Sequence, residues 1–182
     1  MRVIVAFALL VASSVSAAPI TPEMQKFAAE MENEYGLQGA KVRRLLKEAQ
    51  LQPAIIRLIS KPAESITWTR YRTLFMTPER ISGGVEFWRD NAEALELASK
   101  RYGVPAEIII ATIGVETRYG RNTGNYRVLD ALVTLGFDYP PRGKFFRGEL
   151  AQFLLMVEEA NLDPSSVTGS YAGAMGIPQF IP

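Results

Sequence analysis

A threonine directly ahead of a proline stands at residues 21–22 and again at 77–78, each time at the head of apolar residues that recur every three to four positions. Threonine in extended backbone accepts a hydrogen bond from the first free N–H groups of a helix, and proline at the first helical position has its φ already set. The pair marks helix starts, so the chain is committed to helices at two widely separated points. From Pro22, the residues Met24, Phe27, Ala28, Met31 and Tyr35 form one apolar face that stops at Gly36. A second helix runs through Val42, Leu45, Leu46 and Ala49, and a shorter one through Ile55, Ile56 and Ile59, stopped by Pro62.

Residues 66–76 carry Trp68, Tyr71 and Phe75 as the next stripe. Pro78 opens a long helix with Val85, Trp88, Ala92, Leu95 and Tyr102 facing inward, ending at Gly103. Pro105 starts the stretch "IIIATIGVETRYG", and Gly120 is placed to end it. "VLDALVTLGF" predicts a short helix. "KFFRGELAQFLLMVEEA" predicts a longer one with Phe146, Leu150, Phe153, Leu154 and Val157 on one face. All these stripes are assigned to the core. No alternating pattern of strand length and no solenoid-period repeat is present, so the fold class expected is all-α. The final segment, "GSYAGAMGIPQFIP", reads as a small-residue loop entering a new helix, and the chain is expected to continue past Pro182 because domains seldom end in an exposed apolar turn.

Residues 1–17 have the layout of a secretory signal peptide: Arg2, an apolar run from Val3 to Ala12, and the small-residue exit Val15-Ser16-Ala17. That run is too short to span a bilayer. The expected organisation is therefore a leader over 1–17 and one domain over 18–182, exported to the periplasm, with no membrane span. Removing Arg2 leaves 19 basic against 19 acidic residues. A neutral chain has no electrostatic basis for binding nucleic acid or an anionic membrane. The sequence contains no cysteine, so packing alone must hold the fold, and a lipid anchor on an N-terminal cysteine is not expected.

The chain has no histidine either. A Ser-His-Asp triad, a Cys-His nucleophile and an ordinary zinc site are all excluded, and no metal site or cofactor is expected. Acid-base chemistry falls to Glu, Asp, Lys or Tyr. Glu116 is the candidate, because its one-turn neighbours Thr112, Ile113, Tyr119 and Gly120 carry no positive charge that would pair with it. Two readings stand at this point. Against apolar walls the carboxyl would be half-buried and its proton held more tightly, as a general acid requires; otherwise it is a helix-end glutamate that reaches water. Gly114 signals a close approach of backbone, ligand or a packed helix. Arg118, Arg121, Arg127, Arg142, Lys144 and Arg147 form a local basic excess suited to a carboxylate-bearing substrate or to a solvated surface. Gly169, Gly173 and Gly176 let backbone come close to a ligand, with Ser170, Tyr171 and Gln179 available as hydrogen-bonding side chains.

Taken together, "GVETRYG" (114–120), "RVLDALVTLGFDYPPR" (127–142), "FFRGELAQFLLM" (145–156) and "GSYAGAMGIPQF" (169–180) resemble the lytic murein transglycosylase B family over residues 20–182. The resemblance implies a lysozyme-like helical catalytic domain, incomplete at its C-terminus, acting on peptidoglycan glycan strands. It implies cleavage between N-acetylmuramic acid and N-acetylglucosamine that leaves a 1,6-anhydro end. On the same ground Glu116 corresponds to the single catalytic acid/base and Ser170 to the serine at the sugar's N-acetyl group. Arg142 and Gln179 correspond to groove residues, and Tyr171 falls beside them as a substrate-binding position. Two departures stand out: Pro141-Arg142 replaces an arginine pair, and Phe145 replaces a frequent tyrosine. The competing expectations are a muramidase using water and a second carboxylate such as Asp130 or Asp138, a non-catalytic peptidoglycan-binding fragment, and a purely structural helical protein.

Overall fold

The computed structural model describes residues 20–61 and 67–182, so the leader over 1–17 and the helix stop at Pro62 lie outside the described residues. Helix α1 (Pro22–Tyr35) starts where the Thr21-Pro22 pair predicts, with the Thr21 hydroxyl accepting from the Met24 N–H at 3.2 Å, and ends on left-handed Gly36. It is followed by α2 (Gly39–Glu48) and α3 (Pro53–Ile59). Then come α4 (Trp68–Phe75), α5 (Pro78–Asp90), α6 (Ala92–Tyr102) and α7 (Ala106–Thr117). The short strand β1 (Tyr126–Arg127) precedes α8 (Val128–Asp138) and α9 (Gly143–Glu159), and β2 (Thr168–Gly169) pairs antiparallel with β1. A two-residue ladder is too short to leave an alternating trace in sequence, and the fold is otherwise helical.

The centre is α8. Every residue from Val128 to Gly136 is buried, so this helix is wrapped on all sides, by α3, α9 and the helices beyond them. Its two polar members, Asp130 and Thr134, lie one turn apart and hold the α2–α3 connection. Asp130 Oδ1 accepts from the Gln50 N–H and Thr134 Oγ1 from the Gln52 N–H, both at 3.0 Å. Two backbone donors in the loop between α2 and α3 are thereby satisfied by buried side chains. The core runs through Met24, Phe27, Met31, Leu46, Ile55, Leu132, Phe146, Phe153 and Leu154, and the apolar face predicted for α9 is buried throughout.

The stripes predicted over 66–103 do not form core. Trp68 is 72% exposed and Tyr102 69%, Val85 and Trp88 are exposed, Ala92 reaches solvent, and in α4–α6 Leu95 is the buried large apolar residue. The helical period is real, but α5 and α6 lean on one another and on α7, and no element among the described residues covers the outer faces of α4–α6. The single long helix expected from Pro78 to Tyr102 is broken at Asn91, whose backbone leaves helical geometry at φ −121° and ψ 21° while its N–H and its Nδ2 both donate to the Phe87 carbonyl, at 3.1 and 2.9 Å. The new helix expected after Gly169 is absent. Gly173, Gly176 and Gln179 all have positive φ there, and backbone pairs Gly169–Met175 and Met175–Phe180 fold the segment back on itself.

Candidate active site

Helix α7 is buried along Ile110, Gly114 and Thr117, spaced four and three residues apart on one face. Glu116 lies next to Thr117 but about 100° round the helix, and it is exposed. Of the two readings of Glu116, the structure has the one in which it reaches water, not the half-buried one: the face of α7 that meets protein is the Gly114–Thr117 face, and Glu116 looks outward. The helix also ends three residues before Gly120. Arg118 and Tyr119 take left-handed φ values of 51° and 63°, with Gly120 following at 82°. Non-glycine residues in this region are strained, and such strain clusters at functional turns.

Thr117 joins this turn to the glycine-rich segment. Fully buried, its hydroxyl donates to the Ile177 carbonyl at 2.8 Å and accepts from the Gly120 N–H at 2.9 Å. Gln179 makes a second tie, its Nε2 donating to the carbonyls of Thr123 and Gly176 at 3.0 Å each. A third is steric: a Cβ on Gly124 would overlap the Gly169 carbonyl, so the two chain segments approach to backbone contact. Residues 117–124 and 169–180 thus form one surface beside Glu116.

Within that surface Ser170 Oγ accepts from the N–H groups of Ala172 at 3.3 Å and Ala174 at 3.0 Å, which leaves its proton without an acceptor among the described residues. Tyr171 is exposed next to it. Arg142 stands at the start of α9, where its guanidinium lies 4.3 Å from the Phe145 ring centroid and 5.1 Å from that of Phe146. The structure brings Ser170, Tyr171 and Gln179 together with the Glu116 turn, and Arg142 rests on the two phenylalanine rings of α9. Of the basic excess, Arg121 faces Glu86 at 3.8 Å, Arg127 faces Asp130 at 3.7 Å, and Arg147 pairs with Glu23 at 3.1 Å. These three are engaged within the protein.

Sequence reasoning passed over Arg80 and Tyr119. The Tyr119 hydroxyl donates to the Arg80 carbonyl at 2.8 Å, and Arg80 Nη1 donates to the Gly114 carbonyl at 2.8 Å. The signal available was the glycine doublet Gly83-Gly84 inside α5, which costs roughly 1 kcal/mol per residue in a helix and so calls for a close neighbour. Arg118 stands near Glu79, whose carboxyl lies below its ordinary range chiefly through hydrogen bonds from its own backbone and Thr77, with Arg118 adding a smaller share.

The family model described as Transglycosylase SLT domain matches residues 20–182. Membrane-bound lytic murein transglycosylase B of Escherichia coli (strain K12) is 42% identical over 171 residues, which are 88% of this chain and 47% of that protein. Among solved structures, soluble lytic transglycosylase SltB1 from Pseudomonas aeruginosa superimposes with a TM-score of 0.85 at 54% identity, covering 88% of this chain and 54% of the other. The Escherichia coli lytic transglycosylase Slt35, solved in complex with calcium, gives 0.83 at 44% identity over 88% of this chain and 51% of its own. The chain spans about half the length of the relatives it matches. The lysozyme-like helical architecture expected from the sequence is thus the architecture found. With a match along every residue from Ile20 to Pro182, this chain belongs to the transglycosylase SLT domain family.

Proposed function

We propose that this chain forms the catalytic part of a peptidoglycan lytic transglycosylase that cuts between N-acetylmuramic acid and N-acetylglucosamine, with Glu116 as its single acid and base. The observation that carries the reading is the exposed Glu116 carboxylate at the end of α7, beside a glycine-rich surface tied to its own turn through Thr117 and Ile177. Protonated Glu116 gives its proton to the glycosidic oxygen as the bond from C1 of the muramic acid breaks. The acetamido carbonyl of the same sugar stabilises the positive charge at C1, so that no second carboxylate is needed. The Glu116 carboxylate then takes the proton of the C6 hydroxyl as that oxygen attacks C1, closing the 1,6-anhydro ring. Ser170, with its hydroxyl proton uncommitted, is suited to donate to the acetamido oxygen. Tyr171, Gln179 and Arg142 contribute to the saccharide groove, Gln179 through its Oε1, since its nitrogen is held by backbone carbonyls. A leader over 1–17 and a periplasmic location belong to the same reading.

A water-using muramidase would need a second acid. Asp130 is 3% exposed and occupied with the Gln50 N–H, which argues against it in that role. The test is mass spectrometry of glycan fragments released from purified peptidoglycan by the chain and by Glu116→Gln. The expected result is anhydro ends from the parent chain and a loss of at least ~10²-fold in the variant, the lower range for general acid-base catalysis. Reducing ends alone would assign hydrolysis instead, and undiminished cleavage by the variant would remove Glu116 from the chemistry.

A further inference from the structure

The last turn of α7 is held from one side by α5, and the holding is unusually specific. The Tyr119 ring lies across three glycines. A Cβ added at Gly83 would stand 3.2 Å from the ring, at Gly84 2.8 Å from Oη, and at Gly114 2.6 Å from Oη. Any side chain at Gly114 or Gly84 would therefore displace the tyrosine. Phe87 covers the ring further along, with centroids 5.8 Å apart. The hydroxyl ends on the Arg80 carbonyl, and the Arg80 guanidinium returns to the Gly114 carbonyl while resting 4.7 Å from the Phe75 centroid.

The Gly114 carbonyl is one of those that a helix end leaves without an internal donor: the N–H groups of Arg118 and Tyr119 both turn to Ile113. Arg80 supplies the missing donor. Tyr119, two residues after the acid's neighbour Thr117, is pinned in left-handed backbone by the same helix that supplies that donor. Glu116 itself has no hydrogen-bond partner among the described residues, so what the protein fixes of it is the point from which the side chain leaves the backbone of this turn.

We infer that Arg80 and Tyr119 are positioning residues, which lock the α7 terminus between residues 114 and 119 and so aim Glu116 at the scissile bond. The inference rests on the reading of Glu116 as the acid and base. Neither residue touches the substrate. Their effect is on the fraction of bound complexes in which the carboxyl meets the glycosidic oxygen, and misplacement by about 1 Å costs on the order of 10²-fold in rate.

The experiment measures kcat and KM separately on soluble fragments of alternating N-acetylglucosamine and N-acetylmuramic acid, for the parent chain and for Tyr119→Phe, Arg80→Met, Arg80→Lys and Glu116→Gln. Each is assayed well below its own unfolding temperature, with rates normalised to folded protein by circular dichroism. Tyr119→Phe keeps the ring and loses only the bond to Arg80, and should lower kcat by about tenfold. Arg80→Met should lower it by about 10²-fold, with KM within about twofold in both cases. Arg80→Lys can still donate to the Gly114 carbonyl and should recover most of the loss. The inference is overturned if Glu116→Gln is inactive while Tyr119→Phe and Arg80→Met show parental kcat per folded molecule and merely melt earlier. A parent chain that does not cleave these fragments, or a Glu116→Gln variant as active as the parent, would instead overturn the functional reading and this inference with it.

Discussion

Thr117→Val tests the joint between α7 and the glycine-rich segment with almost no change of shape. The hydroxyl has one proton, given to the Ile177 carbonyl at 2.8 Å rather than to the Ile113 carbonyl at 3.3 Å, and one accepted bond, from the Gly120 N–H. Valine removes both. Each hydrogen bond contributes about 1 kcal/mol net, so the loss is about 2 kcal/mol. The Ile177 residue is 41% exposed and water can replace its lost donor, which keeps the total from rising much further. For a chain of this size about 2 kcal/mol corresponds to a fall in Tm of about 4–8 °C. Thr117→Ser keeps both bonds and gives up one buried methyl group, a cost of about 1 kcal/mol. The assay is thermal unfolding by far-ultraviolet circular dichroism, with urea unfolding as a second measure. Valine, although nearer to threonine in volume, is expected to be the more damaging replacement. A valine variant that melts within about 2 °C of the parent, or above the serine variant, would refute the argument that the hydroxyl joins these segments.

Two further predictions concern the core and its charge. Burial raises the Asp130 carboxyl above its ordinary range, partly offset by the Gln50 N–H and by Arg127. A raised folded pKa stabilises the protein below the unfolded value near 4 and loses that contribution as pH rises through the folded value. The Tm difference between Asp130→Asn and the parent should therefore move in the variant's favour between pH 4 and pH 7, and an unchanged or opposite movement would contradict the burial argument. Phe153→Ala, at a fully buried position, should cost about 3–5 kcal/mol, whereas Trp68→Ser at a 72% exposed position should stay within about 0.5 kcal/mol, both read from urea unfolding.

The legible parts of the fold were those settled within a few residues. The Thr21 and Thr77 caps, the Gly36 and Gly103 stops and the α9 face all follow from local chemistry, and they stand where the sequence places them. What local pattern could not supply was the partner of a face. Trp68, Val85 and Trp88 recur at helical spacing as regularly as Phe146 and Phe153, yet only the latter are covered, because coverage depends on elements distant in the chain. The same limit applied to the site. Glu116 could be picked out by the lack of basic neighbours and by the four matching segments. Its exposure could not, since that depends on α5 and on residues 176–180 occupying the Gly114–Thr117 face. Arg80 and Tyr119 escaped notice because their contacts span 34 and 39 residues of sequence.

The main core is assembled from two stretches of chain, α1–α3 and α8–α9, with α4–α7 between them. Met24, Phe27, Leu46 and Ile55 can find early cover only where α1 packs on α2, and their full burial waits for residues 128–157, so a long loop must close before the burial that repays it is complete. Helices α5–α7 pack on one another through contacts close in sequence and supply none of that core, so the segment that carries the Glu116 turn hangs between two halves of a core that it does not itself complete.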